Sequence, residues 1–238
     1  MLQYTMLKIN NLSKTYTNGK VGVKNLNLNV ESGDICAFIG PNGSGKTTTI
    51  RCVVGTLNFD SGEILIDNKS IKTNPIACKS VTAYIPDNPD IYLTLTGNEY
   101  LNFVASVYRI SREERDKAIQ FYADKWELTK DLGLPIKSYS HGMRQKLVLI
   151  AAFMRKPKLL VLDEPFVGLD PQASFTLKTI MQEFVQNGGA IFYSTHVLEV
   201  AEKLCNKVVM IKNGEVIKQG TMQEIKEDKS LEEVFLNA

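Results

Sequence analysis

One segment of this chain, Gly40–Thr47, restricts its possible folds more than any other. It reads Gly-Pro-Asn-Gly-Ser-Gly-Lys-Thr and matches the pattern G-x-x-x-x-G-K-[ST] at every fixed position. A short apolar run, Ile35–Ile39, precedes it, and the residues from Thr47 to Gly55 fit a helix closed by glycine. A glycine-rich loop between a buried strand and a helix predicts an α/β fold built on a central sheet.

The residues of this loop are suited to holding a row of phosphates. Glycines let backbone N–H groups converge on phosphate oxygens, and the helix N-terminus adds partial positive charge. We expect Lys46 to reach the β- and γ-phosphates, Thr47 to offer its hydroxyl to Mg²⁺, and Thr48 to hydrogen-bond a neighbouring phosphate. The loop alone predicts nucleotide binding and leaves the nucleotide and the task open. Its predicted binding residues are Gly40, Pro41, Asn42, Gly43, Ser44, Gly45, Lys46, Thr47 and Thr48.

An acidic pair follows a second apolar strand. Leu159–Leu162 is a continuous apolar run, typical of the interior of a parallel sheet, and it ends in Asp163 and Glu164. Asp163 is predicted to hold Mg²⁺, directly or through water, because hard oxygen ligands suit that ion. Glu164 is predicted to polarise an attacking water as general base. The alternative is a solvated corner or a helix cap, although Pro165 and Gly168–Pro171 favour a shaped loop.

Strand and helix patterns divide the chain into three parts. Alternating or continuous apolar residues predict strands towards both ends, where Asn18-Gly19 and Asn213-Gly214 are turn signals. The middle part is helical in pattern, so we predict one α/β domain interrupted by a helical subdomain. The predicted boundaries are residues 1–238 for the domain, 1–87 and 157–238 for its core, and 88–156 for the helical subdomain.

Three helices are predicted in the middle part: Thr96–Tyr108, Ser111–Trp126 and Gly142–Arg155. In the second of them, Ser111 and Glu114 have the spacing of a capping box. Helical spacing also places four residues of this helix on one face that is expected to pack in the core. They are Ala118, Phe121, Tyr122 and Trp126.

Composition and charge argue against several classes of protein. Apolar residues make up 44% and charged residues 23%, as in soluble globular proteins. The net charge is +2 without a long basic block, so no nucleic-acid partner is expected. The longest apolar run, Leu147–Met154, is far below the ~20 residues of a membrane span, and Met1–Asn10 lacks signal-peptide features. We expect a cytoplasmic chain whose cysteines are small buried residues, since Cys36, Cys52, Cys78 and Cys205 include no close pair.

The order and spacing of these motifs resemble the nucleotide-binding domain of the ABC ATPase family over essentially the whole chain. The family's signature segment, usually Leu-Ser-Gly-Gly-Gln, corresponds here to Tyr139–Met143, and Ser140 stands 23 residues before Asp163. The resemblance implies a P-loop NTPase core with a mixed, mainly parallel sheet, an N-terminal antiparallel β-subdomain and an inserted α-helical subdomain. It also implies that Ser140 and Gly142, at a helix N-terminus, bind the γ-phosphate of ATP held by a second subunit.

The resemblance assigns roles to further residues. Tyr16 corresponds to an aromatic that stacks on adenine, with a plain packing tyrosine as the alternative. His196 corresponds to a histidine that contacts the γ-phosphate and orients Glu164 and water, with a satisfied core histidine as the alternative. Gly168-Leu169-Asp170 corresponds to a loop that crosses the dimer interface. Asp87 stands where the family usually has glutamine, and it can ligate Mg²⁺ or hold water but cannot donate a hydrogen bond when ionised.

These roles imply an enzyme that hydrolyses ATP with Mg²⁺. Its catalytic residues would be Lys46, Glu164 and His196, and Thr47, Asp87 and Asp163 would hold the metal. Two departures from the signature, His141 for glycine and Met143 for glutamine, place a histidine at the ATP interface, where it is a candidate for pH sensitivity.

The resemblance also implies the partners of the chain. A second ATPase subunit, identical or a sister chain, would complete the sites, and a separate membrane-embedded permease would hold the pair at the inner face of the membrane. Four segments resemble the bacterial group that pairs with ABC-2-type permeases, many of which export drugs, peptides or lipids. They are Asp87–Tyr92, Leu95–Leu101, Ser140–Lys146 and Leu231–Leu236. Import, a regulatory cassette beside a catalytic partner, and an ABC protein acting on ribosomes or DNA remain alternatives.

Overall fold

The computed structural model describes residues 4–237, which form two sheets and a set of helices. The strands are β1 (Thr5–Thr15), β2 (Val21–Glu31), β3 (Ile35–Ile39), β4 (Ser61–Ile66), β5 (Lys69–Ser70), β6 (Thr82–Ile85), β7 (Leu159–Asp163), β8 (Ala190–Thr195), β9 (Lys207–Lys212) and β10 (Glu215–Thr221). The α-helices are α1 (Lys46–Val53), α2 (Pro75–Val81), α3 (Gly97–Val107), α4 (Arg112–Lys125), α5 (His141–Met154), α6 (Pro171–Gln186), α7 (Leu198–Leu204), α8 (Met222–Lys226) and α9 (Leu231–Leu236).

The larger sheet is mainly parallel, as predicted. Its strand order is β10-β9-β3-β8-β7-β6, and only β10 runs antiparallel to its neighbour. Every residue of β3, β7 and β8 is buried, which explains why these strands are continuous apolar runs. The carboxyl ends of these three strands lie side by side, because Ile39 pairs with Thr195 and Asp163 pairs with Ser194. Loops that follow parallel strands therefore meet at this edge.

The smaller sheet is antiparallel and belongs mainly to the N-terminal part. Its order is β2-β1-β4-β5, and exposed and buried residues alternate over most of β2, the pattern of a strand with one face in the core. Asn18-Gly19 lies in the turn between β1 and β2, as predicted. Asn213 and Gly214, both with positive φ, make the two-residue turn between β9 and β10. The mixed α/β architecture expected from the sequence is confirmed.

The helices α3, α4 and α5 lie between β6 and β7 in the chain, where the helical subdomain was predicted. Trp126 and Leu147 of this part share one apolar cluster with sheet residues such as Leu160, so the subdomain is packed against the core. The division at residues 88 and 156 stays a prediction. Among residues 4–237, no helix has the length and apolar character needed to cross a membrane.

Two details of α4 differ from the prediction. Phe121 is 51% exposed, while Tyr122 is half-buried and Trp126 is buried. Phe121 therefore does not pack in the core with the rest of the predicted apolar face. Ser111 accepts from the Glu114 backbone N–H at 3.3 Å, but the Glu114 carboxylate bonds the Ser111 hydroxyl instead of its backbone N–H. The complete capping box predicted there is therefore only half formed. Helix α2, which begins with a proline, and the short α8 were not predicted.

Candidate functional site

The glycine-rich loop takes its shape from two glycines that leave no room for a side chain. A Cβ atom at Gly40 would lie 2.3 Å from the Ile211 carbonyl oxygen. A Cβ atom at Gly45 would lie 2.2 Å from the Gly22 carbonyl oxygen, and Gly45 has a φ of 112°, in the left-handed region. Helix α1 begins at the next residue, Lys46, so its free backbone N–H groups face the loop.

Lys46 is held inside the loop. Its ammonium group donates to the Gly40 carbonyl at 2.6 Å and to the Pro41 carbonyl at 3.2 Å, and only 8% of the residue is exposed. Burial lowers the pKa of Lys46, and the nearby carboxylates of Glu164 and Asp163 oppose that shift. A buried cation attracts an anion strongly, and the two carboxylates keep Lys46 charged while offsetting part of that attraction.

A cleft of about 430 Å³ opens in front of the loop. It brings together most of the residues predicted from separate motifs, including Tyr16 and Asp87. Gly40, Pro41 and Ser44 of the loop do not line the cleft: Pro41 is exposed, whereas Gly40 and Ser44 are buried and the Ser44 hydroxyl lies close to Gly40. The cleft is lined by Tyr16, Asn18, Lys20, Val21, Gly22, Asn42, Gly43, Gly45, Lys46, Thr47, Thr48, Asp87, Asp163 and Glu164.

Tyr16 and Thr48 contact each other at this cleft. The Tyr16 hydroxyl lies 2.9 Å from the Thr48 Oγ1 atom, and Thr48 is only 8% exposed. The Thr48 hydroxyl is therefore engaged by Tyr16, and it can still donate to a phosphate when the Tyr16 hydroxyl is the donor in this bond. The phenol ring borders the cleft and remains available for stacking on a planar base.

Asp163 and Glu164 stand at the carboxyl end of β7 in different surroundings. Asp163 is 5% exposed, and its carboxylate accepts a hydrogen bond from the Ser194 hydroxyl of the neighbouring strand β8. Glu164 follows the strand directly and has a φ of 48°. This is the left-handed region, which residues other than glycine adopt only at an energetic cost. Its backbone N–H donates to the Ser194 carbonyl at 3.2 Å. Ser194 thus fixes both acidic residues.

His196 lies beside Glu164. Its Nδ1 atom is 2.9 Å from the Glu164 Oε1 atom, and the imidazole is 59% exposed whereas the Glu164 side chain is 14% exposed. This exposure is incompatible with the alternative of a satisfied core histidine. The pair presents a carboxylate whose orientation is set by an imidazole, a geometry suited to holding and deprotonating a water.

The oxygen donors in the cleft fit a magnesium ion. Thr47 offers a hydroxyl, and Asp87 and Asp163 offer carboxylates, the ligand type that Mg²⁺ prefers alongside water and phosphate oxygens. Within residues 4–237, no three His, Cys, Asp or Glu side chains converge into a metal-binding group. A metal in this cleft would therefore be held by few protein ligands and would need the phosphates of a nucleotide.

Ser140 and Gly142 are placed apart from this cleft. Ser140 is exposed and caps α5 by accepting from the Met143 backbone N–H at 3.2 Å. A Cβ atom at Gly142 would lie 2.6 Å from the Gly168 carbonyl oxygen, so this glycine permits a close approach of α5 to the loop after Glu164. Neither residue lines the cleft of its own chain, and both lie at the N-terminus of α5.

Several residues of the site were not predicted. Ser194 had a usable signal, because it is a polar residue directly after the apolar run Ile191–Tyr193. Asn18, Lys20, Val21 and Gly22 line the cleft because the β1–β2 turn reaches over it, and no local pattern marks them. Gln145 stands between two charged residues, Arg144 and Lys146, and yet it is fully buried.

Comparisons with known proteins agree with this geometry. The family model for the ABC transporter matches residues 23–167. The ABC-type transporter ATP-binding protein EcsA of Bacillus subtilis is 34% identical over 98% of this chain and 96% of its own length. The SkfA peptide export ATP-binding protein SkfE of the same bacterium is 34% identical over 89% of this chain and 87% of its own length.

Solved structures give the same result. An ATP-binding subunit of an ABC transporter matches with a TM-score of 0.94 at 33% identity, over 98% of this chain and 99% of the other. The protein cbiO1 of Clostridium perfringens, part of the ABC transporter complex cbiONQ, matches with a TM-score of 0.81 at 27% identity, over 98% and 95% of the two chains. Sequence, fold and site therefore agree that this chain belongs to the ABC transporter family, as one of its ATP-binding subunits.

Proposed function

We propose that this chain hydrolyses ATP to drive an ABC exporter. The observation that carries the proposal is the contact between Glu164 and His196, at the same edge of the sheet as Lys46 and Asp163. A phosphate-binding loop alone is sufficient for nucleotide binding. A carboxylate oriented by an imidazole next to that loop supplies what hydrolysis needs in addition.

In this proposal each residue has one task at the γ-phosphate. The backbone N–H groups of the loop and the ammonium of Lys46 hold the phosphate oxygens, and Asp163 with Thr47 would hold Mg²⁺, which neutralises charge on the phosphates. Glu164 accepts a proton from a water, whose oxygen attacks the γ-phosphorus while the bond to the β–γ bridging oxygen breaks. His196 keeps the Glu164 carboxylate pointed at that water. The products are ADP and phosphate.

We further propose that two subunits complete each site. Ser140 and Gly142 lie outside the cleft of their own chain and at an exposed helix N-terminus, a position that suits binding of the γ-phosphate of ATP held by a second subunit. ATP would then stabilise a closed head-to-tail pair, and hydrolysis would release it. The second subunit is a copy of this chain or a sister chain.

The names of two relatives support export as the direction of transport. SkfE is named for peptide export, and a second Bacillus subtilis relative, LnrL, is named a linearmycin resistance ATP-binding protein and is 32% identical over 92% of this chain. The resemblance to the group that pairs with ABC-2-type permeases points the same way. The expected location is the inner face of the membrane, through a separate permease subunit.

An exposed apolar surface on the helical part suits contact with that permease. We call it the α3 patch: the side chains of Tyr92, Leu93, Phe103, Val107 and Tyr108, which are 41% to 60% exposed. The rings of Tyr92 and Phe103 pack edge to face at 5.7 Å, so the patch has a defined shape. Contiguous exposed apolar side chains commonly mark an interaction surface. The proposed docking surface would thus reach from the segments Asp87–Tyr92 and Leu95–Leu101, which resemble the ABC-2-pairing group, to Tyr108.

The substitution Glu164→Gln tests the proposed chemistry. It removes the base and keeps the size of the side chain, so ATP turnover should fall by at least about a hundredfold while ATP binding remains. Size-exclusion chromatography with ATP and Mg²⁺ should then show a trapped dimer. Glu113→Gln, at an exposed position of α4, is the matched control and should behave as wild type. Normal turnover by Glu164→Gln would contradict the assignment of the base.

The same assay separates catalysis from regulation. Purified wild-type chain, alone and with its permease, should hydrolyse ATP. Absence of turnover in both preparations, with ATP binding intact, would favour the alternative of a regulatory cassette beside a catalytic partner.

A further inference from the structure

Gln145 is a fully buried polar residue next to the predicted base. It lies in α5, and none of its side chain is exposed. Its Nε2 atom donates to the Pro165 carbonyl oxygen at 3.4 Å. Its Oε1 atom has no hydrogen-bond partner among the described residues 4–237.

This arrangement does not favour the stability of the fold. A hydrogen bond of 3.4 Å is longer than the usual range for N–H···O, so its net contribution is small. The free-energy cost of burying an amide oxygen without a hydrogen-bond partner is larger than the stabilisation from such a long hydrogen bond. An apolar side chain of the same size would suit this interior position better, and a buried unsatisfied polar group therefore points to a role other than stability.

The atom that Gln145 contacts is the carbonyl oxygen of Pro165, the residue directly after Glu164. Glu164 has a φ of 48°, so its backbone stays in the left-handed region only if neighbouring groups hold it there. Ser194 binds the N–H side of Glu164, and the Glu164 carbonyl accepts from the Val167 N–H at 3.1 Å. Gln145 is the side chain from α5 that reaches the next carbonyl.

Two further contacts fix α5 against the same loop. Gly142 packs on the Gly168 carbonyl, and the Lys146 ammonium lies 3.0 Å from the Asp170 carboxylate. Both contacts are near the end of the loop distant from Glu164. Of these three contacts from α5, the one made by the Gln145 amide is nearest to Glu164, within one residue of it.

We propose that Gln145 is a positioning residue for Glu164: its buried amide holds the Pro165 carbonyl and so fixes the strained backbone that aims the base. The proposal rests on the proposed function, in which Glu164 is the general base. It predicts that the amide matters for the rate of hydrolysis and not for ATP binding or for folding.

The test uses Gln145→Met and Gln145→Leu, which keep the volume and remove the donor. Turnover (kcat) should fall about ten- to a hundredfold, because small misplacements of a base are costly in rate. The KM for ATP and the dimer trapped in the Glu164→Gln background should stay unchanged, and the melting temperature should stay the same or rise. Gln120→Met is the control, since Gln120 is an exposed helix glutamine that hydrogen-bonds Asp124.

Each result decides the proposal. A lower kcat with an unchanged KM and an unchanged or higher melting temperature supports it. Wild-type kcat in either variant overturns it, and so does a loss of stability in both variants, because that would make Gln145 a structural residue. Failure of the proposed function is recognised separately: Glu164→Gln would then keep its turnover, whatever the Gln145 variants do.

Discussion

At the residue scale, Gly168 and His141 fit each other. Gly168 has a φ of 79°, and a Cβ atom there would lie 2.0 Å from the His141 Cδ2 atom. The imidazole therefore occupies the space in which any other residue would place its side chain. The departure from the usual signature, histidine for glycine, thus has a local structural consequence: it packs α5 on the loop after Glu164.

We predict that Gly168→Ala is destabilising for two reasons that can be separated. The left-handed backbone costs about 1–2 kcal/mol for a residue with a Cβ atom, and the methyl group also displaces the imidazole. Adding His141→Gly should recover the steric part only. A double-mutant cycle by urea denaturation measures this coupling, and strictly additive effects would contradict the contact.

At the element scale, the start of α6 depends on Asp170. Its carboxylate accepts from the Ala173 backbone N–H at 2.7 Å and so caps the helix, and it also pairs with Lys146 of α5. The pKa of Asp170 is below its ordinary value. The larger cause is the hydrogen bond from the Ala173 backbone N–H, and the next is the hydrogen bond from the Lys146 ammonium. One side chain thus joins the start of α6 to the helix that carries the signature segment.

We predict that Asp170→Ala lowers the free energy of unfolding by about 1 kcal/mol at neutral pH, and that Asp170→Asn lowers it less because asparagine also caps. Since the pKa is lowered in the folded state, the ionised form stabilises the fold above the ordinary pKa of about 3.9 and this contribution is lost as pH falls through the lower folded value. The side chain is 52% exposed, so the ionic part is modest.

Urea denaturation at a series of pH values checks this prediction. The stability difference between wild type and Asp170→Asn should narrow below about pH 4. A difference that stays constant down to pH 3 would mean that the Asp170 charge contributes nothing to the fold.

At the scale of the whole molecule, the ATP cleft and the α3 patch are built by different parts of the chain. The cleft is formed mostly by loops at the carboxyl edge of the larger sheet, whereas the patch lies on the helical part. The apolar cluster that contains both Leu101 of α3 and Leu162 of β7 connects them. A close-packed interior of this kind transmits displacement between two surfaces.

We predict that Tyr92→Ser combined with Phe103→Ser impairs permease binding and spares ATP binding. The two exposed rings contribute apolar area to the α3 patch, and losing them should weaken co-purification with the permease by about tenfold or more. Phe121→Ser, at an exposed aromatic of α4, is the control and should leave co-purification intact. Equal loss in both variants would argue against the α3 patch as the docking surface.

Local pattern was sufficient for most of the fold. The buried strands β3, β7 and β8 are continuous apolar runs, and Asn213-Gly214 marks its hairpin by turn chemistry, so both could be read from neighbouring residues. Helix α2 could not be predicted from neighbouring residues, because it is short and has little apolar periodicity. Phe121 was misplaced because helical spacing defines a face but not where that face stops touching the core.

The sequence by itself determined the phosphate-binding loop, the acidic pair Asp163-Glu164, the helix that carries the signature segment, and the family. These features depend on residue types at fixed spacing along the chain. Only the tertiary structure decided which side chains meet: the Tyr16 hydroxyl engages Thr48, Ser194 fixes both carboxylates, and Gln145 reaches the Pro165 carbonyl. The physical reason is that such contacts join elements far apart in sequence, and strand register and helix packing, not local pattern, set the distances between them.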